Sequence, residues 1–175
     1  PVLAEYKAQG SAAAVKELVN RVSGVLGGTL LFVTGISILA APLVTTIFAP
    51  GFISHPEKFY LTTEMIRITF PYLFLISMTG FCGAILNSFG RFAVPAFTPF
   101  FLNLSLIFAA LIAAPWFAEP VFALAWGVLL AGVVQLLFQL PSLYRLDLVP
   151  RPIWDTSDKG VRRILKLMVP AMFGV

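Results

Sequence analysis

The 175-residue chain is 59% hydrophobic and only 11% charged, with a mean hydropathy of +0.93. Soluble domains are closer to half apolar and about one-quarter charged, so this composition excludes a soluble enzyme, a disordered segment and a nucleic-acid-binding tail. The net charge of +4 comes from 12 basic and 8 acidic residues, and their positions describe membrane topology rather than a nucleic-acid surface. Cys82 is the single cysteine, so the sequence offers no internal disulfide and no cysteine metal cluster.

Long charge-free intervals predict four membrane crossings. A helix needs roughly 20 apolar residues to cross a hydrocarbon core of about 30 Å, and four intervals between neighbouring charged residues exceed that length. Pro50 and Gly51 end the first crossing, so residues 50–67 are expected to form a loop or a short interfacial helix. We place the crossings near residues 22–49, 68–90, 94–114 and 121–140.

The sequence changes character after the fourth crossing. Residues 145–163 are rich in basic and acidic side chains and predict a solvated connection. From Ile164 the sequence turns apolar again, and residues 164–175 predict the start of a fifth crossing that is cut short. Because the first residue is Pro rather than Met, we expect the chain to be an internal fragment of a longer protein.

The positions of Lys and Arg predict the orientation of the crossings, because these residues are biased toward cytoplasmic loops. When alternate connections are grouped, one side carries ten basic residues and the other carries two. Residues 1–21, the turn at Arg91 and residues 145–166 are therefore predicted to be cytoplasmic. Residues 50–67 and 115–120 are predicted to lie on the outer side.

Prolines recur in or beside the crossings. An interior proline removes a backbone donor and tends to kink a helix, although membrane helices tolerate it. We interpret three of them as kinks, namely Pro42, Pro71 and Pro99. The others are interpreted as lying near helix ends, namely Pro95, Pro115, Pro120 and Pro141.

Small residues occur at a spacing that suits helix packing. Gly24 and Gly28 form a G-x-x-x-G pattern, and Gly80 and Gly83 are close together in the second crossing. Such residues let neighbouring backbones approach closely. We favour packing within the chain over dimerisation, because several helices must pack here.

Polar residues inside the crossings are the candidates for function, since each needs a partner or water. Gln135 and Gln139 are four residues apart and share one face of the fourth crossing. They either form hydrogen bonds between helices or line a hydrophilic cavity. Arg67 and Arg91 stand at opposite ends of the second crossing, where they either extend to the interfaces or contact an anionic headgroup.

Motifs for catalysis are missing from the sequence. The single histidine, His55, is followed by Pro56 and Glu57 and lacks the helical spacing of H-E-x-x-H. Neither a G-x-S-x-G motif nor a P-loop occurs. We therefore expect no enzymatic activity, no metal site and no cofactor.

One stretch closely resembles a known family, the MurJ (MviN) lipid II flippases. Residues 83–99 read GAILNSFGRFAVPAFTP and continue to Leu102 and Asn103. Further matches keep the family's order and spacing, at residues 1–6 (PVLAEY), 49–52 (APGF), 68–72 (ITFPY), 123–126 (ALAW), Gln135 and 139–141 (QLP). The positions that match the signature are Asn87, Arg91, Pro95, Pro99 and Asn103.

The resemblance implies an all-α integral membrane fold of the MOP exporter superfamily, normally 14 transmembrane helices in two lobes. Residues 1–144 would be part of the N-terminal lobe, residues 145–163 the cytoplasmic connection between lobes, and residues 164–175 the start of the next helix. Asn87 and Arg91 would stabilise the cytoplasmic turn, and Pro95 and Pro99 would shape the entry to the following helix. The family's essential cavity arginines lie on its first, second and eighth helices, so they have no counterpart in this chain.

The resemblance also implies a function. Family members move lipid II, the undecaprenyl-pyrophosphate-linked peptidoglycan precursor, from the inner to the outer leaflet of the bacterial cytoplasmic (inner) membrane by alternating access. The expected partners are lipid II and membrane lipids, with no nucleic acid and no cofactor. Two alternatives stay open: an exporter of another polyprenyl-linked glycan, and a non-transporting membrane scaffold for cell-wall enzymes.

Overall fold

The computed structural model describes residues 5–6 and 12–172, and all regular elements within these ranges are helical. The stretch at residues 1–6 that resembles the family and the predicted start of a fifth crossing at residues 164–175 therefore lie partly outside the described residues. The helices are α1 (Ala12–Leu39), α2 (Ala41–Phe48), α3 (Pro56–Ser88), α4 (Ala93–Phe108), α5 (Val121–Tyr144) and α6 (Lys159–Met172). Short turns of 3-10 helix occur at Pro50–Phe52 and Ala114–Trp116, with a π-helical turn at Ala109–Ala113 between α4 and the second of these.

Four helical stretches are long and apolar enough to cross a membrane: Ala12–Leu39, Pro56–Ser88, Ala93–Trp116 and Val121–Tyr144. Large apolar side chains on their outer faces are exposed, among them Phe32 at 70% and Leu111 at 74%. Such exposure would be costly in water but not in lipid, where acyl chains solvate these side chains. The chain is therefore a multi-pass membrane protein, and the predicted all-α membrane fold class is confirmed.

Helix α1 begins earlier and ends earlier than the first expected crossing near residues 22–49. It already includes Lys16 and Arg21, because charged side chains that have partners do not end a helix. It breaks at Ala40, and α2 begins at Ala41 with Pro42 in its first turn. Proline lacks the N–H that would continue the helical hydrogen bonds, so the break lies where the sequence predicts a kink.

Helix α3 corrects the prediction of a loop or short interfacial helix at residues 50–67. After the 3-10 turn, α3 starts at Pro56 and runs without interruption to Ser88. Glu64 and Arg67 form an ion pair one turn apart within it, so their charges are accommodated on the helix surface. Pro71 lies inside α3 and does not end it.

Helix α5 packs between α3 and α4 through small residues. A Cβ on Gly132 would lie 2.8 Å from Cδ2 of Tyr72 and 2.9 Å from Cβ of Leu75, both on α3. A Cβ on Gly127 would lie 2.7 Å from Cβ of Ala109. The absence of side chains at both glycines lets the backbone of α5 approach its two neighbours closely.

The largest buried apolar cluster gathers the ends of three helices. It joins the first turns of α1, the last turns of α3 and α5, and the chain just after α5. Its members are Val15, Val19, Cys82, Ile85, Leu86, Leu143 and Leu148. The predicted cytoplasmic segments therefore lie at one end of the bundle.

The connection after α5 keeps many side chains exposed while its backbone contacts α1. Residues 148–158 lie outside regular helix but run along α1, where Ile153 donates its backbone N–H to the carbonyl of Asn20 at 2.9 Å. Helix α6 begins at Lys159, before the apolar residue Ile164 at which a further crossing was expected. The connection is therefore held against the bundle.

Candidate functional site

The signature residues Asn87 and Arg91 lie where α3 ends and turns toward α4. Gly90 adopts a left-handed conformation with φ of 74°. The backbone N–H of Gly90 donates to the carbonyl of Asn87 at 3.0 Å, and that of Arg91 donates to the carbonyl of Leu86 at 2.9 Å. These two bonds form a Schellman motif, which satisfies the last carbonyls of the helix.

The Schellman motif uses backbone atoms of Asn87 and Arg91, while the expected roles concerned their side chains. The side chain of Asn87 is exposed and that of Arg91 is half-buried. Their stabilising roles therefore stay predictions. The glycine between them is the residue on which the turn conformation depends, because an ordinary L-residue is strained at this φ.

Gln135 and Gln139 meet α4 inside the bundle and are only 2% and 1% exposed. The Gln135 side-chain amide donates to the carbonyl of Thr98 at 3.1 Å. The Gln139 amide donates to Thr98 Oγ1 at 3.2 Å. Both glutamines therefore hold α5 to α4 through one residue, while their lining of a cavity stays a prediction.

The polar cluster extends from Thr98 to helix α3. The hydroxyl of Tyr72 donates weakly to Gln135 Oε1 at 3.5 Å. Thr98 itself donates its hydroxyl to the carbonyl of Val94 at 3.2 Å. A buried polar group without a partner is costly in a low-dielectric interior. Thr98 accepts hydrogen bonds from the amides of both glutamines and so gives each amide a partner.

Gln139 Oε1 is buried with no hydrogen-bond partner among the described residues. A Cβ on Gly83 would lie 3.7 Å from this oxygen and 3.3 Å from Cβ of Pro95. Gly83 thus leaves room for both the glutamine and the proline at the contact of α3, α4 and α5. Pro95 is half-buried here, whereas Pro99 and Asn103 are exposed on α4.

Thr98 and Tyr72 are the residues of this cluster that were not singled out from the sequence. Thr98 lies inside the signature stretch, between the signature positions Pro95 and Pro99. A hydroxyl on a lipid-spanning helix can bond its own backbone, so the sequence gives no sign that Thr98 also accepts from α5. Only the helix register brings it within reach of both glutamines.

A second buried polar contact lies between α2 and the first turns of α3. Thr45 of α2 and Thr63 of α3 are hydrogen-bonded through their hydroxyls at 3.0 Å, and Thr45 also bonds the carbonyl of Ala41. Polar contacts between helices in lipid are worth about 0.6 kcal/mol on average. This pair therefore fixes the short helix α2 against the start of α3.

The described part of the chain contains no group of three or more His, Cys, Asp or Glu residues placed to hold a metal ion. The buried polar side chains of the described residues are amides and hydroxyls, and several of them bond across helices. These bonds position the helices relative to one another.

Comparison with known proteins places the whole chain in one family. The family model described as "Lipid II flippase MurJ" matches residues 1–175. The chain is 43% identical to the probable lipid II flippase MurJ of Vibrio cholerae, over 100% of this chain and 35% of that protein. It is 41% identical to the lipid II flippase MurJ of Burkholderia cenocepacia, again over 100% and 35%.

A third relative gives the same picture. The probable lipid II flippase MurJ of Haemophilus influenzae is 40% identical, over 100% of this chain and 36% of that protein. The chain therefore spans about a third of the length of the curated relatives it matches.

Proposed function

This chain belongs to the lipid II flippase MurJ family, and from that membership we propose that its protein moves lipid II from the inner to the outer leaflet by alternating access. The observation that carries the proposal is the family match over all 175 residues. The cargo is the undecaprenyl-pyrophosphate-linked peptidoglycan precursor, and the membrane is the bacterial cytoplasmic (inner) membrane. The protein acts as a transporter rather than as an enzyme.

The cargo sets the physical problem that such a protein solves. A pyrophosphate with its sugar-peptide head cannot enter hydrocarbon without losing its hydration at large cost. A hydrated, cationic cavity must therefore shield the head while the lipid tail stays in the membrane. In this proposal α1 to α5 form part of the wall of one lobe.

The polar cluster at Thr98 supports a role as a rigid part of that wall. Gln135 and Gln139 are buried and bonded to α4, so the register of α4 and α5 is fixed by polar as well as apolar contacts. Alternating access requires that each lobe moves as a body around the cargo. A lobe whose helices are hydrogen-bonded to each other meets that requirement.

The packing also supports the proposed division of the chain. Residues 1–144 would belong to the first lobe, residues 145–163 to the connection between lobes and residues 164–175 to the next helix. The first turns of α1 and the ends of α3 and α5 meet in one cluster at one end. This is the arrangement that four alternate crossings require.

The test of function is rescue of bacterial cells whose own lipid II flippase is depleted. The full-length protein should restore growth and restore labelling of lipid II in the outer leaflet. A matched pair of variants is Gly132→Val, which pushes α5 off α3, and Gly80→Val, whose Cβ has no described heavy atom within 4 Å. The first should lose rescue and the second should keep it.

Three outcomes contradict the proposal. Rescue of growth with no lipid II in the outer leaflet would indicate a scaffold for cell-wall enzymes. Failure of rescue at normal abundance, with export of another polyprenyl-linked glycan, would indicate a related exporter. Failure both to rescue growth and to export any polyprenyl-linked glycan, at normal abundance, would show that the protein lacks this transport activity.

A further inference from the structure

The chain between α5 and α6 carries an unusual pattern of backbone donors. Residues 150–153 read Pro-Arg-Pro-Ile, and proline has no backbone N–H. Arg151 and Ile153 therefore supply the N–H groups of this stretch. In an extended chain alternate residues face the same side, so both donors point in one direction and the prolines leave the other side without donors.

Both of these donors are taken up by one residue of α1. The N–H of Arg151 donates to Asn20 Oδ1 at 2.8 Å, and the N–H of Ile153 donates to the backbone carbonyl of Asn20 at 2.9 Å. The Ser23 hydroxyl bonds the same carbonyl at 2.9 Å. Asn20 thus clamps the extended stretch at two points.

The G-x-x-x-G pattern of α1 continues the same contact one and two turns further along. A Cβ on Gly24 would lie 2.1 Å from the carbonyl oxygen of Ile153, and a Cβ on Gly28 would lie 2.2 Å from Cζ3 of Trp154. Asn20, Gly24 and Gly28 are spaced four residues apart and form one stripe of the helix. The stripe receives an extended segment of the same chain, which agrees with the expected packing within the chain.

Charges attach both ends of this stretch to α1. Lys16 pairs with Asp147 at 2.6 Å, just after α5, and hydrogen bonding to Lys16 lowers the pKa of the Asp147 carboxyl. Arg21 pairs with Asp158 at 2.5 Å and contacts Asp155 at 3.4 Å. Ion pairs this exposed contribute little energy singly, but their positions define the two ends of the contact.

Asp158 also forms the beginning of α6. Its Oδ1 accepts the backbone N–H of Val161 at 3.0 Å, as a capping residue does. Burial disfavours its charge, but the N–H of Val161 and the guanidinium of Arg21 outweigh that effect, so the pKa of Asp158 is lowered. Val161 is 2% exposed and packs with Leu18 and Val22 of α1.

We propose that residues 147–158 form a docked strap, clamped by Asn20 and seated on Gly24 and Gly28, that holds the start of α6 against α1. The strap is a mechanical coupling between the end of α5, the face of α1 and the start of α6. A flexible linker would let the start of α6 turn independently of α1, whereas two hydrogen bonds from N–H groups of the strap to Asn20, the close contact at Gly24 and Gly28 and the cap at Asp158 prevent it. This coupling depends on contacts within the chain and not on the cargo that the protein carries.

A pair of substitutions at one position separates the backbone clamp from the side chain. Arg151→Pro removes the N–H that Asn20 Oδ1 accepts and leaves all helices untouched, whereas Arg151→Ala removes the charge but keeps the N–H. A second pair tests the seat: Gly24→Val clashes with Ile153, and Gly35→Val has no described heavy atom within 4 Å of its Cβ.

Hydrogen exchange of the full-length protein in lipid nanodiscs measures docking through the amide of Ile153. Loss of a hydrogen bond of about 1 kcal/mol corresponds to roughly fivefold faster exchange. Arg151→Pro and Gly24→Val should show at least that increase, and Arg151→Ala and Gly35→Val should match the wild type. Equal exchange in Arg151→Pro and Arg151→Ala would overturn the clamp.

Spin labels at Ala13 on α1 and Lys166 on α6, in a Cys82→Ala background, measure the coupling itself. The distance distribution should be narrow in the wild type and in Arg151→Ala, and broad in Arg151→Pro. An equally narrow distribution in Arg151→Pro would show that the strap does not hold α6 and would overturn the proposal. Unchanged exchange in α3 peptides confirms that the bundle is folded in each variant.

Discussion

Gly90 and Asp147 are the two described residues with an isolated left-handed conformation after a membrane helix, with φ of 74° and 54°. Gly90 ends α3, and Asp147 ends α5 through the same pair of bonds, since Asp147 donates to Tyr144 at 3.0 Å and Leu148 to Leu143 at 3.0 Å. Glycine adopts this conformation freely, whereas aspartate tolerates it at a cost. Asp147 also forms the ion pair with Lys16 that holds the beginning of the strap against α1.

Thr98 gives the sharpest residue-scale prediction for the polar cluster. Thr98→Val removes the hydroxyl that Gln139 bonds, so the buried amide of Gln139 loses its partner and unfolding should become easier by about 1–3 kcal/mol. Thr98→Val combined with Gln139→Leu should recover most of this loss, because both polar groups are then gone. The measurement is the midpoint of denaturant unfolding in detergent micelles.

Thr46→Val is the control for the loss of a hydroxyl, since Thr46 is exposed and bonds the carbonyl of Pro42 on its own helix. Its stability should stay within about 0.5 kcal/mol of the wild type. If the double variant were no more stable than Thr98→Val alone, the bond between Thr98 and Gln139 would not be the cause.

At the scale of elements, charged residues do not mark the ends of the helices in this chain. Pro42 divides α1 from α2, but Lys16 and Arg21 lie inside α1 and Glu64 inside α3. Charged residues on a helix surface keep their backbone hydrogen bonds, because their side chains pair with opposite charges or contact water. The crossings inferred near residues 68–90 and 121–140 are therefore shorter than helices α3 and α5, which form them.

Gly132 supplies the prediction at this scale, because it sets the distance between α5 and α3. A Cβ there already meets Tyr72 and Leu75 below 3.0 Å, so Gly132→Val must separate the helices or strain the side chains. Overpacking of this kind costs about 1–3 kcal/mol. The thermal midpoint of the purified protein should fall accordingly, with Gly80→Val as the control whose added side chain has free space.

A retained midpoint in Gly132→Val would show that α5 and α3 can shift apart without cost. It would also mean that the growth phenotype of this variant has another origin. A large loss in Gly80→Val would instead show that the outer face of α3 is covered in the full-length protein.

At the scale of the whole molecule, the bundle brings the basic segments to one end. The cluster of Val15, Leu86 and Leu143 places the starts and ends of three helices together. The contact of Thr45 with Thr63 lies at the other end of α3. This arrangement agrees with the charge bias that predicts a cytoplasmic position for residues 1–21 and 145–166.

Cysteine labelling of intact cells tests that orientation. With Cys82 replaced by Ala, Ser54→Cys should react with an impermeant thiol reagent from outside, because residue 54 is exposed in the segment predicted to be external. Ser157→Cys, exposed in the strap, should react only after the cells are opened. The reverse pattern would invert the topology, and equal reaction of both would contradict a four-crossing arrangement.

The sequence alone determined the membrane class, the approximate crossings and the family, because lipid imposes long apolar stretches and the signature at residues 83–99 has a fixed spacing. It also identified the residues of the polar cluster on α5, Gln135 and Gln139, but not their partner Thr98. Contacts of that kind depend on helix register, which local pattern does not encode.

Only the tertiary structure decided what the small-residue stripe of α1 receives. Gly24 and Gly28 predict a close approach of some backbone, since the physical requirement is the missing Cβ and not the identity of the neighbour. Pro150 and Pro152 indicate an extended chain with few donors. The path of the chain after α5 brings these two patterns together, and Asn20 accepts both remaining N–H groups. The charged connection is therefore docked on α1.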